Sequence, residues 1–176
     1  AVTVSPCPFV GTVAKKLRGS RLPRDAVKGI RSLLHRGLVP VVHGDAVLDE
    51  VQNVAILSGD IWMVELCREL GARSAVFVTD VDGVLTKPPS EKGAELIREI
   101  LVDKTGKLEL RGVSMNCDGA HDVTGGLQAK LQCAADVLLQ APTVEAVYIV
   151  RAGSIAAIEA MRGVPPQSGT TLRRHK

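Results

Sequence analysis

Ser74-Ala-Val-Phe-Val-Thr-Asp-Val-Asp-Gly83 is an apolar run that ends in two aspartates and a glycine. The six residues Ser74 to Thr79, nearly all apolar or β-branched, are too few for a typical helix and read as a strand, of the kind buried on both faces of a parallel sheet. Upstream, Ala55-Ile-Leu-Ser-Gly-Asp60 opens a helix that runs to about Leu70 and stops at Gly71. Before that come a short strand, Val39-Pro-Val-Val42, the turn His43-Gly-Asp45, and a hairpin around Val47 to Val54. Earlier still, Asp25 caps a helix over Ala26 to His35, with Val27, Ile30, Leu33 and Leu34 at helical spacing and Gly37 ending it. Downstream, Pro88 to Gly93 reads as a surface loop and Glu91 to Leu101 as an amphipathic helix. Asp122-Val-Thr-Gly-Gly126 opens a long helix to Gln140, Val144 to Val150 is a strand, and Ser154 to Met161 a last helix. Helices alternating with apolar strands predict an α/β fold, an αβα sandwich around a mostly parallel sheet.

The chain has 176 residues, which suits one domain spanning residues 1–176. With 45% apolar and 23% charged residues it has the composition of a globular protein. No apolar run approaches the roughly eighteen residues of a membrane helix, so no membrane partner is expected. The start, Ala1-Val-Thr-Val-Ser-Pro6, reads as a strand without an initiating Met, and leads us to expect a chain that begins partway through a longer protein. Basic residues gather at Lys15, Lys16, Arg18, Arg21 and Arg24, and again at Arg173, Arg174 and Lys176. The four aromatics (Phe9, Trp62, Phe77, Tyr148) do not interleave with them. Solvated loops and a tail, and no nucleic-acid partner, are therefore expected. Cys7, Cys67, Cys117 and Cys133 form no CxxC pair, which argues against a zinc or redox motif and for reduced thiols in the cytoplasm.

Three loops sit where ligands bind in open α/β sheets, at strand ends leading into helices. Ser58-Gly59-Asp60 places a glycine at a helix mouth, where backbone N–H groups and the helix dipole favour an anion; a plain helix N-cap is the blander reading, and local sequence alone favours it. Thr79-Asp80-Val-Asp82-Gly83 sets two carboxylates at a strand end, able to hold Mg²⁺ or meet a nucleotide, or to close the strand by an Asx turn. Thr124-Gly125-Gly126 lets backbone N–H groups approach phosphate oxygens, with Lys130 one helical turn beyond Gly126; a glycine-rich turn with a surface lysine is the blander reading. No Walker A loop is present. Trp62 and Met63 face either an acceptor pocket or, more simply, the core.

In order, Val39-Pro-Val-Val-His-Gly-Asp45, Ile56-Leu-Ser-Gly-Asp60, Thr79-Asp-Val-Asp-Gly83, His121-Asp-Val-Thr-Gly-Gly126, Lys130 and Ser168-Gly-Thr-Thr-Leu172 resemble the amino acid kinase superfamily, in particular isopentenyl phosphate kinases. Fosfomycin-resistance kinases look similar over the same stretches. The resemblance implies ATP-dependent, Mg²⁺-assisted phosphorylation of isopentenyl phosphate to isopentenyl diphosphate by a homodimer. It implies that Gly59 and Ser58 meet the substrate phosphate and that Asp60 organises catalytic lysines. It also implies that Asp80, Asp82, Gly83, Thr124, Gly125, Gly126 and Lys130 serve ATP; it names no metal ligand. The family's opening glycine-rich loop and substrate-binding histidine have no counterpart after Ala1, and His43 does not replace that histidine. A fragment that is a poor catalyst alone is therefore expected. A non-catalytic nucleotide-binding module is one alternative. A haloacid-dehalogenase-type phosphatase using Asp80 as nucleophile and Asp82 as acid/base is another, although no acidic metal pair follows at suitable spacing.

Overall fold

A computed structural model describes residues 2–4, 10–11, 24–50, 52–111 and 125–175. The chain falls into two compact units, Ala1–Gly71 and Ala72–Lys176.

In the first unit, β1 (Val2–Val4) pairs in parallel with β3 (Pro40–Val42), and α1 (Arg24–His35) lies between them in sequence. The helix starts at Arg24, so Asp25 lies in its first turn and not before it. It ends as expected: Gly37 adopts φ 72°, and the N–H groups of Gly37 and Leu38 bond the carbonyls of Leu34 and Leu33. β2 (Val10–Gly11) runs parallel to β4 (Asp45–Asp49), which returns antiparallel as β5 (Asn53–Leu57) and confirms the hairpin. α2 (Gly59–Leu70) ends on Gly71 in the left-handed conformation. Ile30, Val47, Leu57, Ile61 and Trp62 form this unit's core. Trp62 is 1% exposed, so the core reading of that residue holds.

The second unit is a five-stranded sheet ordered β6-β9-β10-β7-β8. Its strands are β6 (Ser74–Thr79), β7 (Glu99–Val102), β8 (Leu108–Arg111), β9 (Ala146–Arg151) and β10 (Thr170–Arg174). The sheet is mixed: β6/β9 and β10/β7 are parallel, β9/β10 and β7/β8 antiparallel. The doubly buried strand is β9, whose residues Ala146 to Val150 are all buried. β6 stands at the edge of this sheet, so Ala75 and Phe77 are buried on one face while Val78 is 46% exposed on the other. On one face of β9, Ala146, Tyr148 and Val150 pack against Ala156, Ala157 and Ala160 of α4 (Ile155–Met161). The alternate residues Val147 and Ile149, both 0% exposed, share the opposite face with α3 (Gly125–Gln140). Small alanines let α4 approach the sheet closely.

Two further expectations fail here. Glu91 to Leu101 is not a helix. Gly93 turns the chain at φ 81°, and Leu85 bridges Leu96. The N–H groups of Thr86 and Ile97 bond Glu95 and Val84 across the turn, and β7 follows. Leu96, Ile97, Ile100 and Leu101 fit a helical stripe, but pairing with β10 satisfies the backbone of this segment instead. Nor is Arg174 part of a solvated tail. It lies in β10, and its guanidinium donates to the carbonyls of Leu138 (2.8 Å), Ala141 (2.8 Å) and Val144 (2.7 Å). One side chain thereby closes the carboxyl end of α3, where carbonyls have no helical partner. The remaining basic cluster, Lys15 to Arg21, lies outside the described residues, as do Cys7 and Cys117. Cys67 in α2 and Cys133 in α3 are buried thiols outside any disulfide, as expected.

Replacing Arg174 with Ala removes the guanidinium from the Leu138 and Val144 carbonyls, while the Ala141 carbonyl keeps the Val144 N–H at 3.0 Å. We expect a loss of about 2–4 kcal/mol, read as a lower urea midpoint at unchanged m value. Burial pushes the Cys67 thiol from 9.0 up to about 11. The folded chain therefore keeps this proton after the unfolded chain has lost it. The sign follows: the thiol's contribution to stability is intact below about 9 and falls as pH rises from about 9 to about 11. A Cys67→Ala variant should flatten that part of the stability–pH curve.

Candidate functional site

At the mouth of α2, Ser58 is the N-cap, its hydroxyl oxygen accepting from the Ile61 N–H at 3.4 Å. That distance makes a loose cap. Gly59 follows with no Cβ obstacle within 4 Å and without a left-handed backbone. Nothing in the fold requires glycine there. Its effect is to leave the space before the first N–H groups of the helix open, where the dipole favours an anion. Asp60 occupies the first turn. The His43-Gly44-Asp45 turn lies against the same mouth: a Cβ on Gly44 would come within 3.1 Å of the Leu57 carbonyl and 3.8 Å of the Gly59 nitrogen. Gly44 thus permits the close approach, a role that the sequence alone did not assign.

In the second unit, Asp80 and Asp82 follow β6 and are both exposed. Asp80 Oδ1 accepts from the Thr79 hydroxyl at 3.0 Å. Asp82 lies 3.7 Å from Arg151, which ends β9 in register with Thr79. Both groups of that pair are more than half exposed, so it adds little stability and remains available to a ligand. The carboxyl ends of these two strands therefore present two carboxylates and a guanidinium. Arg151 was not foreseen, although it follows a buried apolar run just as Asp80 does. Mg²⁺ takes one or two carboxylates and completes its shell with water and phosphate oxygens, and Asp80 and Asp82 are donors of that kind. Among the described residues no group of three or more His, Cys, Asp or Glu is gathered as a metal cage.

Gly83 differs from Gly59. A Cβ here would stand 2.7 Å from Thr170 Oγ1, 2.8 Å from Leu96 Cδ1 and 2.9 Å from the Thr170 nitrogen. The Thr170 hydroxyl in turn accepts from the Val84 N–H at 2.8 Å and donates to the Ile97 carbonyl at 2.7 Å. Gly83 is therefore held by packing, whatever else it meets. Gly125, Gly126 and Lys130 lie in the first turns of α3, and Lys130 is half-buried. Thr124 and the residues His121 to Val123 lie outside the described residues.

The two glycines give opposite expectations. Gly83→Ala should cost about 2 kcal/mol in urea unfolding, because Thr170 is fixed by two buried hydrogen bonds and does not yield. Gly59→Ala should stay within about 0.5 kcal/mol of wild type while weakening binding of a phosphate ligand.

Residues 4–150 match the sequence pattern described as the amino acid kinase family. The isopentenyl phosphate kinase of Arabidopsis thaliana is 38% identical over 144 residues, 76% of this chain and 42% of that protein. The enzyme of the same name from Methanocaldococcus jannaschii is 35% identical over 133 residues, 74% of this chain and 44% of that protein. The chain thus spans less than half the length of these curated relatives. A solved isopentenyl phosphate kinase superposes over 97% of this chain and 58% of its own, with TM-score 0.64 and 26% identity. A Giardia carbamate kinase shares the fold at 14% identity, with TM-score 0.63 over 99% of this chain and 64% of its own. By the extent of the family match, and by the αβ sheet architecture that carries it, the chain belongs to the amino acid kinase family.

Proposed function

We propose that this sequence is part of a kinase that phosphorylates isopentenyl phosphate to isopentenyl diphosphate at the expense of ATP. The observation that carries the reading is the open helix mouth at Gly59, a glycine the fold does not need, in a chain 38% identical to an isopentenyl phosphate kinase. The two units, in this reading, form one amino-acid-kinase-like domain, and the protein works as a homodimer in the cytoplasm.

Chemically, an oxygen of the substrate's own phosphate attacks the γ-phosphorus of ATP. A new P–O–P link forms, the bond to the β,γ-bridging oxygen breaks, and ADP leaves with that electron pair. No covalent intermediate on the protein is needed, so the residues position groups and neutralise charge. Ser58 and Gly59 bind the acceptor phosphate at the helix mouth, and Asp60 orients the lysines that reach it. Gly125, Gly126 and Lys130 grip the nucleotide phosphates, with Thr124 before them, and the ammonium of Lys130 offsets charge on the transferred group. Asp80 and Asp82 face the nucleotide and would hold Mg²⁺, which offsets phosphate charge when bound; Gly83 keeps their loop in place. The phosphatase reading has no comparable support, since the relatives are kinases.

Calorimetric titration of Mg-ATP into the 176-residue chain should give saturable binding, at least tenfold weaker in Lys130→Ala. In ³¹P NMR of the full-length protein with isopentenyl phosphate, diphosphate resonances should grow only when ATP is present. Absence of Mg-ATP binding by the folded wild type, or release of phosphate without ATP, would overturn the reading.

A further inference from the structure

At the other end of β6 and β9 from Asp80 and Arg151, a cavity of about 330 Å³ opens in the second unit. Arg73, Arg162 and Arg173 line it, together with Ser74, Glu145 and Tyr148. Arg73 precedes β6, Arg173 belongs to β10, and Arg162 caps the carboxyl end of α4, so three separate elements each bring one guanidinium. None of the three makes a side-chain hydrogen bond or ion pair among the described residues; the ion pairs of this unit involve other groups. Glu145 is the one acidic side chain in the lining, and its N–H is already bonded to the Arg73 carbonyl at 2.8 Å. Three cations and one anion leave a local charge of +2. Gathering unpaired guanidinium groups around a shared space is unfavourable by mutual repulsion until an anion of matching charge enters. Arginine's planar fork suits phosphate oxygens, and the cavity is of small-molecule size. The ring of Tyr148, 4% exposed, and Pro165 supply an apolar wall.

We infer that this cavity binds a small phosphorylated anion carrying two or more negative charges, at a site separate from the proposed nucleotide crevice. Strand β6 spans six residues between the two, roughly 17 Å from Ser74 to Thr79, so both ends can be filled at once. The inference does not rest on the kinase reading, because none of its residues serves that reaction.

Tyr148 is the one tyrosine in the sequence and lines this cavity, which makes 3-fluorotyrosine labelling a local probe. Inorganic pyrophosphate titrated into the labelled 176-residue chain should move the single ¹⁹F resonance saturably. Arg162→Gln and Arg173→Gln, at exposed positions, should each weaken that response at least tenfold while leaving the melting temperature unchanged. Lys130→Ala should leave it intact. A non-saturating response, an equal one from sodium chloride at matched ionic strength, or loss of the response in Lys130→Ala would overturn the proposal. So would full binding by an Arg162→Gln/Arg173→Gln double variant that melts like wild type.

Discussion

The hydroxyl of Thr170 is the small contact on which the acidic loop depends. It is 0% exposed, accepts from Val84 and donates to Ile97, and so joins three stretches of chain distant in sequence. With both its donor and its acceptor used, the oxygen has one allowed orientation, and Gly83 must lack a side chain for the loop to lie against it. The segment carrying Asp80 and Asp82 is therefore anchored from behind. Their carboxylates can remain exposed without the loop itself being loose.

That arrangement explains why some of the molecule was readable and some was not. Helix ends marked by Gly37 and Gly71, the hairpin before Ser58 and the strands around Phe77 and Ile149 follow from local spacing and turn chemistry. These signals act over a few residues. The sheet order does not: β10 lies between β9 and β7, and its pairing alone makes Glu99–Val102 a strand although its apolar spacing also suits a helix. Arg174 shows the same limit. Its sequence neighbours are basic and polar, while its partners are carbonyls 30 to 36 residues away.

At the site, sequence reading found the loops but not the division of labour among their glycines. Gly44, Gly59 and Gly83 look alike in a string of letters. Space around a notional Cβ separates them: two are required by close backbone or side-chain neighbours, and one faces open space. Arg151 was missed because a cation at a strand end has no motif of its own; it is defined by the carboxylate opposite. Asp60 and Asp82 could be singled out as candidates because each adjoins a glycine at a helix or strand end, Asp80 because it follows the apolar strand directly, and Lys130 because it lies one turn beyond a glycine pair.

The core of the first unit holds Trp62, and that of the second holds Tyr148, each the single residue of its kind in the chain. The protein thereby carries two different chromophores, one per unit, without any labelling. Indole emission reports the packing around α2, while phenol absorbance reports the contact of β9 with α4. Events in either half can be followed optically in the unaltered molecule, in the same sample and at the same time.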